Sequence, residues 1–219
     1  MIIQIAGIRN KAEADMLVNA GVTHIGFPLR LPVNKEDLSD QEVRNIISNL
    51  PRNVHKVLIT YLRIAKEIVD LVSYLGTDIV QVHGHITVEE AKKIKTLSAD
   101  IKIIKSLVVE KDNFNELVFT VKGFEKHVDL FITDTFDPDT GASGATGKTH
   151  DWSISKRIVD MTKIPVILAG GLNPKNVGQA IKTVRPAGVD THTGVENALG
   201  EKDPVLVNAF VKEAKSALL

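Results

Sequence analysis

The sequence predicts an α/β fold, a single (β/α)8 TIM barrel spanning residues 1–219 as one domain. Three observations predict it. Eight short β-rich runs alternate with helix-period segments from end to end. Most of the runs are almost continuously apolar, as parallel strands covered on both faces are. The last two runs each break into glycine and small hydroxyl residues. An open doubly wound sheet also alternates in this way, but no Gly-x-Gly-x-x-Gly follows the first run.

The first strand is Ile2–Ala6 and the second His24–Leu29, which runs into Arg30. Ser39-Asp-Gln-Glu42 reads as a capping box, with Val43, Ile46, Ile47 and Leu50 forming a helical stripe that Pro51 stops. After the third strand, Val54–Tyr61, a stripe of Ile68, Val72 and Leu75 ends at Gly76. The fourth strand, Ile79–His83, precedes a second capping box at Thr87-Val-Glu-Glu90. The fifth, Ile101–Leu107, carries Lys105 and Ser106, and the sixth, Val128–Thr133, leads to Asp134. Residues 136–149 are glycine-rich, which suits either a mobile lid or a passive surface excursion. The seventh strand, Pro165–Ala169, is followed by Gly170, Gly171 and an expected N-cap at Asn173-Pro174. The eighth, Gly188–Thr191, precedes Asp203-Pro204, a second such device, which opens a helix lined by Val207, Phe210, Val211, Ala214 and Leu218.

Lys+Arg and Asp+Glu balance at 27 each, so no bulk field recruits nucleic acid or an anionic membrane, and any anion binding must be local. No apolar run has the length of a membrane span and the start lacks a cationic signal region, so a cytoplasmic location is expected. The chain has no cysteine, which excludes disulfides, thiolate metal sites and a cysteine nucleophile.

In a barrel of this kind chemistry sits at the C-terminal ends of the strands. Glycine lets backbone approach a ligand closely, and free N–H groups at a helix start favour an anion. Gly170 and Gly171 after the seventh strand, with Asp190, Thr193 and Gly194 around the eighth, thus point to a grip on a phosphorylated small molecule. The alternative is that the glycines only turn the chain. Arg30 is a candidate to hold another part of the same ligand. Asp134 is the main candidate for acid–base work, since a carboxyl at an apolar mouth can have a raised pKa; otherwise it caps a loop. His83 and His192 stand at strand ends where imidazole can move a proton, or they are hydrogen-bonded wall residues. As a pair they lack a third protein ligand, so no metal is expected. Lys105 offers either a Schiff base or a partner for phosphate or carboxylate.

Several of these segments together resemble the phosphoribosylanthranilate isomerase family of tryptophan biosynthesis. They are Ile5-Ala-Gly-Ile-Arg-Asn10, Gly21-Val-Thr-His-Ile-Gly-Phe27, Val80-Gln-Val-His-Gly84, Gly144-Ala-Thr-Gly-Lys-Thr-His-Asp-Trp152, Leu168-Ala-Gly-Gly-Leu-Asn-Pro-Lys-Asn-Val177 and Gly194-Val-Glu196. The resemblance implies a cofactor-free (β/α)8 barrel that performs an Amadori rearrangement. It implies that Asp134 is the general acid. The family's general base, a cysteine, falls on Ala6, and a lysine two residues earlier falls on Gln4. The arginine that faces the substrate's aromatic acid falls near Lys35-Glu36-Asp37. A family Ser-Ser-Gly-Val-Glu is His192-Thr-Gly-Val-Glu196 here, and position 150, commonly phenylalanine, is His150.

The expectation is therefore a sugar-phosphate isomerase of this type, diverged or weak in the family reaction, with His83 or a water as substitute base, or with His192 or His83 as base if the substrate is a smaller phosphorylated sugar. Two alternatives stand beside it. One is an isomerase, epimerase or Schiff-base aldolase acting on a smaller phosphorylated sugar. The other is a non-catalytic barrel that binds a phosphometabolite. A monomer or homodimer is expected, with no nucleic acid and no membrane among its partners.

Overall fold

A computed structural model describes residues 1–32, 36–137, 142–143, 147 and 149–217. Lys35, Leu218 and most of the 136–149 stretch, where a lid or an excursion is expected, lie outside them. The strands are β1 (Ile2–Ala6), β2 (His24–Leu29), β3 (His55–Thr60), β4 (Ile79–Val82), β5 (Lys102–Val109), β6 (Leu130–Asp137), β7 (Ala142–Ser143), β8 (Val166–Leu168) and β9 (Gly188–Thr191). All but β7 pair in parallel in the cyclic order β1-β2-β3-β4-β5-β6-β8-β9, and the β1–β9 and β5–β6 ladders complete the ring. The short β7 pairs antiparallel with the end of β6. The seventh and eighth strands expected from sequence are β8 and β9.

Helices α1 (Lys11–Ala20), α2 (Asp40–Ile47), α3 (Ala65–Leu75), α4 (Val88–Leu97), α5 (Phe114–Phe124), α6 (Trp152–Met161), α7 (Val177–Val184) and α8 (Pro204–Ser216) follow the barrel strands in turn. Alternation along each strand divides the buried residues into two cores. Ala6, Val57, Ile59, Ile104, Ile132 and Ile167 are among those filling the barrel itself. Ile3, Ile5, Ile103, Leu107 and Phe131 belong to the larger layer between strands and helices. This parity decides which side chains reach the mouth.

Local signals are realised unevenly. The Ser39–Glu42 capping box forms in both directions, although α2 stops before Leu50. Asp203 caps α8, accepting from Val205 N at 2.7 Å and Leu206 N at 3.1 Å, with Pro204 in the first turn. Gly76 ends α3 in the left-handed conformation at φ 79°. Thr87 makes only its half of a box: it accepts from Glu90 N at 3.2 Å, while the Glu90 carboxylate takes Ala65 N at 2.8 Å instead. Asn173 does not cap α7. Its Oδ1 accepts from Lys175 N at 2.9 Å and its carbonyl from Val177 N at 3.0 Å, so it caps a preliminary turn that includes Pro174, and the helix proper starts at Val177.

Candidate active site

Two carboxylates reach the mouth from the barrel interior. Asp134 continues the inward set of Leu130 and Ile132 on β6, and Asp190 on β9 stands opposite Gln4 of β1. Asp134 is 7% exposed, and one of its oxygens accepts from Thr135 N at 2.8 Å. Burial pushes its pKa up to about 7, against the pull of that bond. Asp190 is also raised to about 7, chiefly by burial and then by the charge of Asp134; the Gln4 amide and Lys202 act the other way. Its Oδ1 has no hydrogen-bond partner among the described residues. Gln4 Nε2 donates to Gln81 Oε1 at 2.8 Å, so the floor beneath the two acids is a bonded amide pair.

One cleft joins these acids to His192, Gly170–Gly171 and Thr193–Gly194. Gly170 (φ 93°) and Gly171 (φ 60°) are both left-handed, a conformation glycine adopts without a steric cost. A Cβ on Gly170 would lie 2.0 Å from Thr135 Oγ1, and one on Gly194 would lie 1.9 Å from the Leu172 carbonyl oxygen. The N–H groups of Gly170 and Gly171 make no hydrogen bond among the described residues. Thr193–Val195 forms a single 3-10 turn, whose first N–H groups have no partner inside it.

His192 follows Thr191, which pairs with Ile5, so it stands beside Ala6. Its ring lies over Gly7: a Cβ there (φ 73°) would be 2.0 Å from His192 Nε2. Burial, then Lys202 and Arg9, lower its pKa to about 3, while its side chain keeps 25% exposure. That lowering favours the neutral imidazole, against the pull of Glu196 Oε1, which stands 3.5 Å from Nε2. Lys202 Nζ donates to the His192 carbonyl at 2.9 Å and to Glu196 at 2.6 Å, which fixes the turn from below.

His83 points inward from the end of β4, bonded through Nδ1 to Ser106 Oγ at 2.9 Å, with its ring 5.0 Å from Tyr61. It does not line the cleft of the two acids. Arg30 departs from expectation. Its guanidinium makes a two-bond fork with Asp40, at 2.9 and 2.6 Å, and Glu36 lies 3.7 Å away. Lys105 departs too: it falls between Ile103 and Leu107 in the helix-facing set, its amine 5.9 Å from the Phe124 ring of α5. That orientation takes it out of the barrel interior, where a Schiff-base amine would have to be.

One set of site residues went unrecognised in the sequence. His150 Nδ1 meets Thr135 Oγ1 at 2.8 Å, its Nε2 meets Ser155 Oγ at 2.6 Å, and Ser155 donates to Thr133 at 3.1 Å. Burial lowers the His150 pKa to about 4, so the neutral ring bridges β6 and α6 directly behind Gly170. The two threonines alternating outward on β6 were the available signal.

A family model for N-(5'-phosphoribosyl)anthranilate (PRA) isomerase matches residues 3–213. N-(5'-phosphoribosyl)anthranilate isomerase 2 of Methanosarcina mazei is 39% identical over 217 residues, covering 99% of this chain and 95% of that protein. The crystal structure of phosphoribosyl anthranilate isomerase from Thermotoga maritima superposes with a TM-score of 0.83 at 31% identity, over 99% of this chain and 100% of that one. A crystal structure of the same enzyme type in complex with reduced 1-(o-carboxyphenylamino)-1-deoxyribulose 5-phosphate gives 0.81 at 29%, with coverage of 99% and 100%. Among the described residues no helix is long and apolar enough to cross a membrane. By sequence and by fold, this chain belongs to the phosphoribosylanthranilate isomerase family of tryptophan biosynthesis, isomerases that carry out an Amadori-type rearrangement.

Proposed function

We propose that this chain isomerises an N-substituted phosphoribosylamine, with Asp134 as general acid and Asp190 as the base that takes the place of the missing thiol. The observation that carries the reading is the meeting of two buried carboxylates and the unbonded Gly170–Gly171 N–H groups in one cleft. The phosphate sits against Gly170, Gly171, Thr193 and Gly194, where left-handed glycines and the start of a helical turn aim N–H groups outward. That grip extends the sugar over the two acids.

Asp134 gives its proton to the ring oxygen. The C1–O bond breaks and the nitrogen lone pair forms a C1=N iminium. Asp190 then takes the proton from C2, and the C2–H electrons become the C1=C2 bond of an enolamine as nitrogen recovers its pair. Protonation at C1 and loss of the C2 hydroxyl proton yield the ketone. Two like carboxylates facing one site share protons as a pair, so near neutral pH one is acid while the other is base. Asp190 is better suited to the basic role. Gln4 and Lys202 favour its charged form, and its free Oδ1 has a lone pair to use. His192 stays neutral beside C2 and orients rather than abstracts, because an imidazole held near pKa 3 is a weak base. His83, bonded to Ser106, stands on the opposite wall. The enzyme works as one domain, residues 1–219, in the cytoplasm, as a monomer or homodimer.

A carboxylate in place of a thiolate at an angle set by β9 makes a slower catalyst. The test is consumption of phosphoribosylanthranilate by wild type, Ala6→Cys and Asp190→Asn at matched concentration. Wild type is expected to turn over slowly, Ala6→Cys faster, because a thiol of ordinary pKa about 8.5 can be lowered locally. Asp190→Asn should lose about 10²–10⁴-fold. Wild-type turnover in the ordinary range of about 1–10³ s⁻¹ shows that the cysteine is dispensable. No turnover by wild type or by Ala6→Cys favours a smaller sugar phosphate or a purely binding barrel.

A further inference from the structure

A buried amine without an acid is the least expected group in this molecule outside the cleft. Lys105 is only 7% exposed, and its Nζ donates to one acceptor, the Gly84 carbonyl, at 3.1 Å. An ammonium has three N–H bonds, and no carboxylate lies within ion-pair reach of this one among the described residues. Burying an uncompensated cation is costly unless something else supplies the counter-charge. Lys105 borders a cavity of about 290 Å³ between the end of β5 and α5, which also takes in Ser106 and His83 from the barrel-facing set. Tyr61, Arg63, His83, His85 and Phe124 share that cavity. Arg63 is exposed at the rim and makes no ion pair among the described residues. Glu110 and Glu116 also border it, both on the exposed α5 side.

The topology says what reaches this slot. In the ring of eight strands β8 and β9 stand opposite β3 and β4. A sugar phosphate anchored at β8–β9 therefore points its far end toward Tyr61, His83 and the slot. The neighbouring β2 side offers no free cation among the described residues: Arg9 faces Asp37 at 3.6 Å and Arg30 is forked on Asp40 beside Glu36. Both guanidinium groups on that side are thus already held by carboxylates.

We infer that the β5–α5 slot is a carboxylate-binding subsite, taking the acid-bearing aromatic end of the substrate with Lys105 and Arg63 as counter-ions and Tyr61 and Phe124 as walls. The inference rests on the phosphoribosylamine reading above and names where its amine end goes. Burial draws Lys105 down to about 8, which an arriving carboxylate reverses.

The probe is free anthranilate, which fluoresces, with aniline as the uncharged control, on the full chain. Wild type should bind anthranilate saturably and aniline at least about 10-fold more weakly, the range of one charge-assisted bond. Lys105→Met should weaken anthranilate by about 10–100-fold with an unchanged or higher melting temperature, since the swap removes a buried charge at similar length. Arg63→Gln, at an exposed position, should weaken it by a smaller factor and guards against misfolding of the first variant. With phosphoribosylanthranilate, both variants should raise KM far more than they lower kcat. Equal anthranilate affinity in wild type, Lys105→Met and Arg63→Gln overturns the subsite. Anthranilate that binds there without competing with phosphoribosylanthranilate overturns its assignment to the substrate's own end, and leaves a separate carboxylate effector. Slot binding without any turnover sinks the reaction instead. Turnover with an unaltered KM in both variants sinks the slot alone.

Discussion

At the N-terminal end of the barrel two carboxylates close their hydrogen bonds, whereas at the C-terminal end two buried acceptors are left open. Asp78 takes His55 Nδ1 at 2.6 Å and Lys56 N at 2.7 Å; Asp129 takes Lys95 Nζ at 2.6 Å and Ile103 N at 2.7 Å. At the mouth Asp190 Oδ1 and Gln4 Oε1 are buried with no partner among the described residues. The two ends share the same strands and the same alternation, so the difference is not one of fold. Satisfied polar groups stabilise the native state, and unsatisfied buried ones cost free energy that only a ligand repays. The closed end holds the barrel together; the open end is where chemistry belongs.

The widest separation between the two ends should come from the acids at the mouth. Asp134→Asn is expected to lower turnover by about 10²–10⁴-fold while the unfolding midpoint holds or rises, because an ionisable group is withdrawn from an apolar site. Adding Asp190→Asn should cost much less than the product of the two single losses, since groups acting as a unit are not additive. A drop in midpoint matching the drop in activity would place Asp134 with the closed sets instead. Gly170→Ala comes next. The methyl would meet Thr135 Oγ1 at 2.0 Å on a left-handed backbone, so stability should fall by about 1–3 kcal/mol along with phosphate affinity. Phosphate titration of the folded fraction, followed by amide shifts at Gly171 and Gly194, separates the two losses. Shifts unmoved in wild type itself would remove the proposed grip.

At the closed end, Asp129→Ala should cost about 1 kcal/mol in urea unfolding and leave turnover per folded molecule as it was. The smallest effect is in the pH dependence of stability. Asp134 and Asp190, near 7 when folded and about 3.9 when unfolded, bind more protons in the native state between those values. Their contribution therefore falls as pH rises from about 4 to about 7. His24 and His150, near 4 when folded, and His192, near 3, bind fewer protons than an unfolded imidazole at about 6.5, so their contribution rises over much of that window. The Asp134→Asn, Asp190→Asn double variant keeps only the second set among these groups. Its stability should climb more steeply than wild type from pH 4 to 6.5, and parallel curves would show that the mouth carboxylates titrate normally.

Much of this was legible from residue order. Strands β1, β2 and β9 begin and end where their apolar runs do, and the glycines of the β8 and β9 ends stood out because backbone sites leave a compositional trace. Asp134 was legible for a similar reason, as a lone carboxylate after an apolar run. What failed depended on partners distant in the chain or on a rotation of one residue. Arg30 looked free until the backbone brought Asp40 beside it. Lys105 was open to two readings, a Schiff-base amine or an anion's partner, and the first fails because strand alternation counted from Ile103 and Leu107 turns it toward the helices. Asn173-Pro174 has the composition of a helix start, but its carbonyl closes a preliminary turn and α7 waits for Val177. The hydrogen-bond chain through His150 needed three segments to converge, and only position 150 and the two threonines of β6 hinted at it.

The contact between Gly7 and His192 ties two distant parts of the chain together. The imidazole rests on the backbone immediately after Ala6, too close to Gly7 for any side chain there. Ala6 and His192 thus share one corner of space, although they are 186 positions apart in the chain (192 − 6). No side chain fits position 7 while the ring lies over it, and a longer side chain at position 6 has to share that corner with the imidazole. A thiol placed at position 6 in the background of His192→Ser should therefore raise activity more than the thiol alone, and equal gains in the two backgrounds would show that the ring leaves position 6 free.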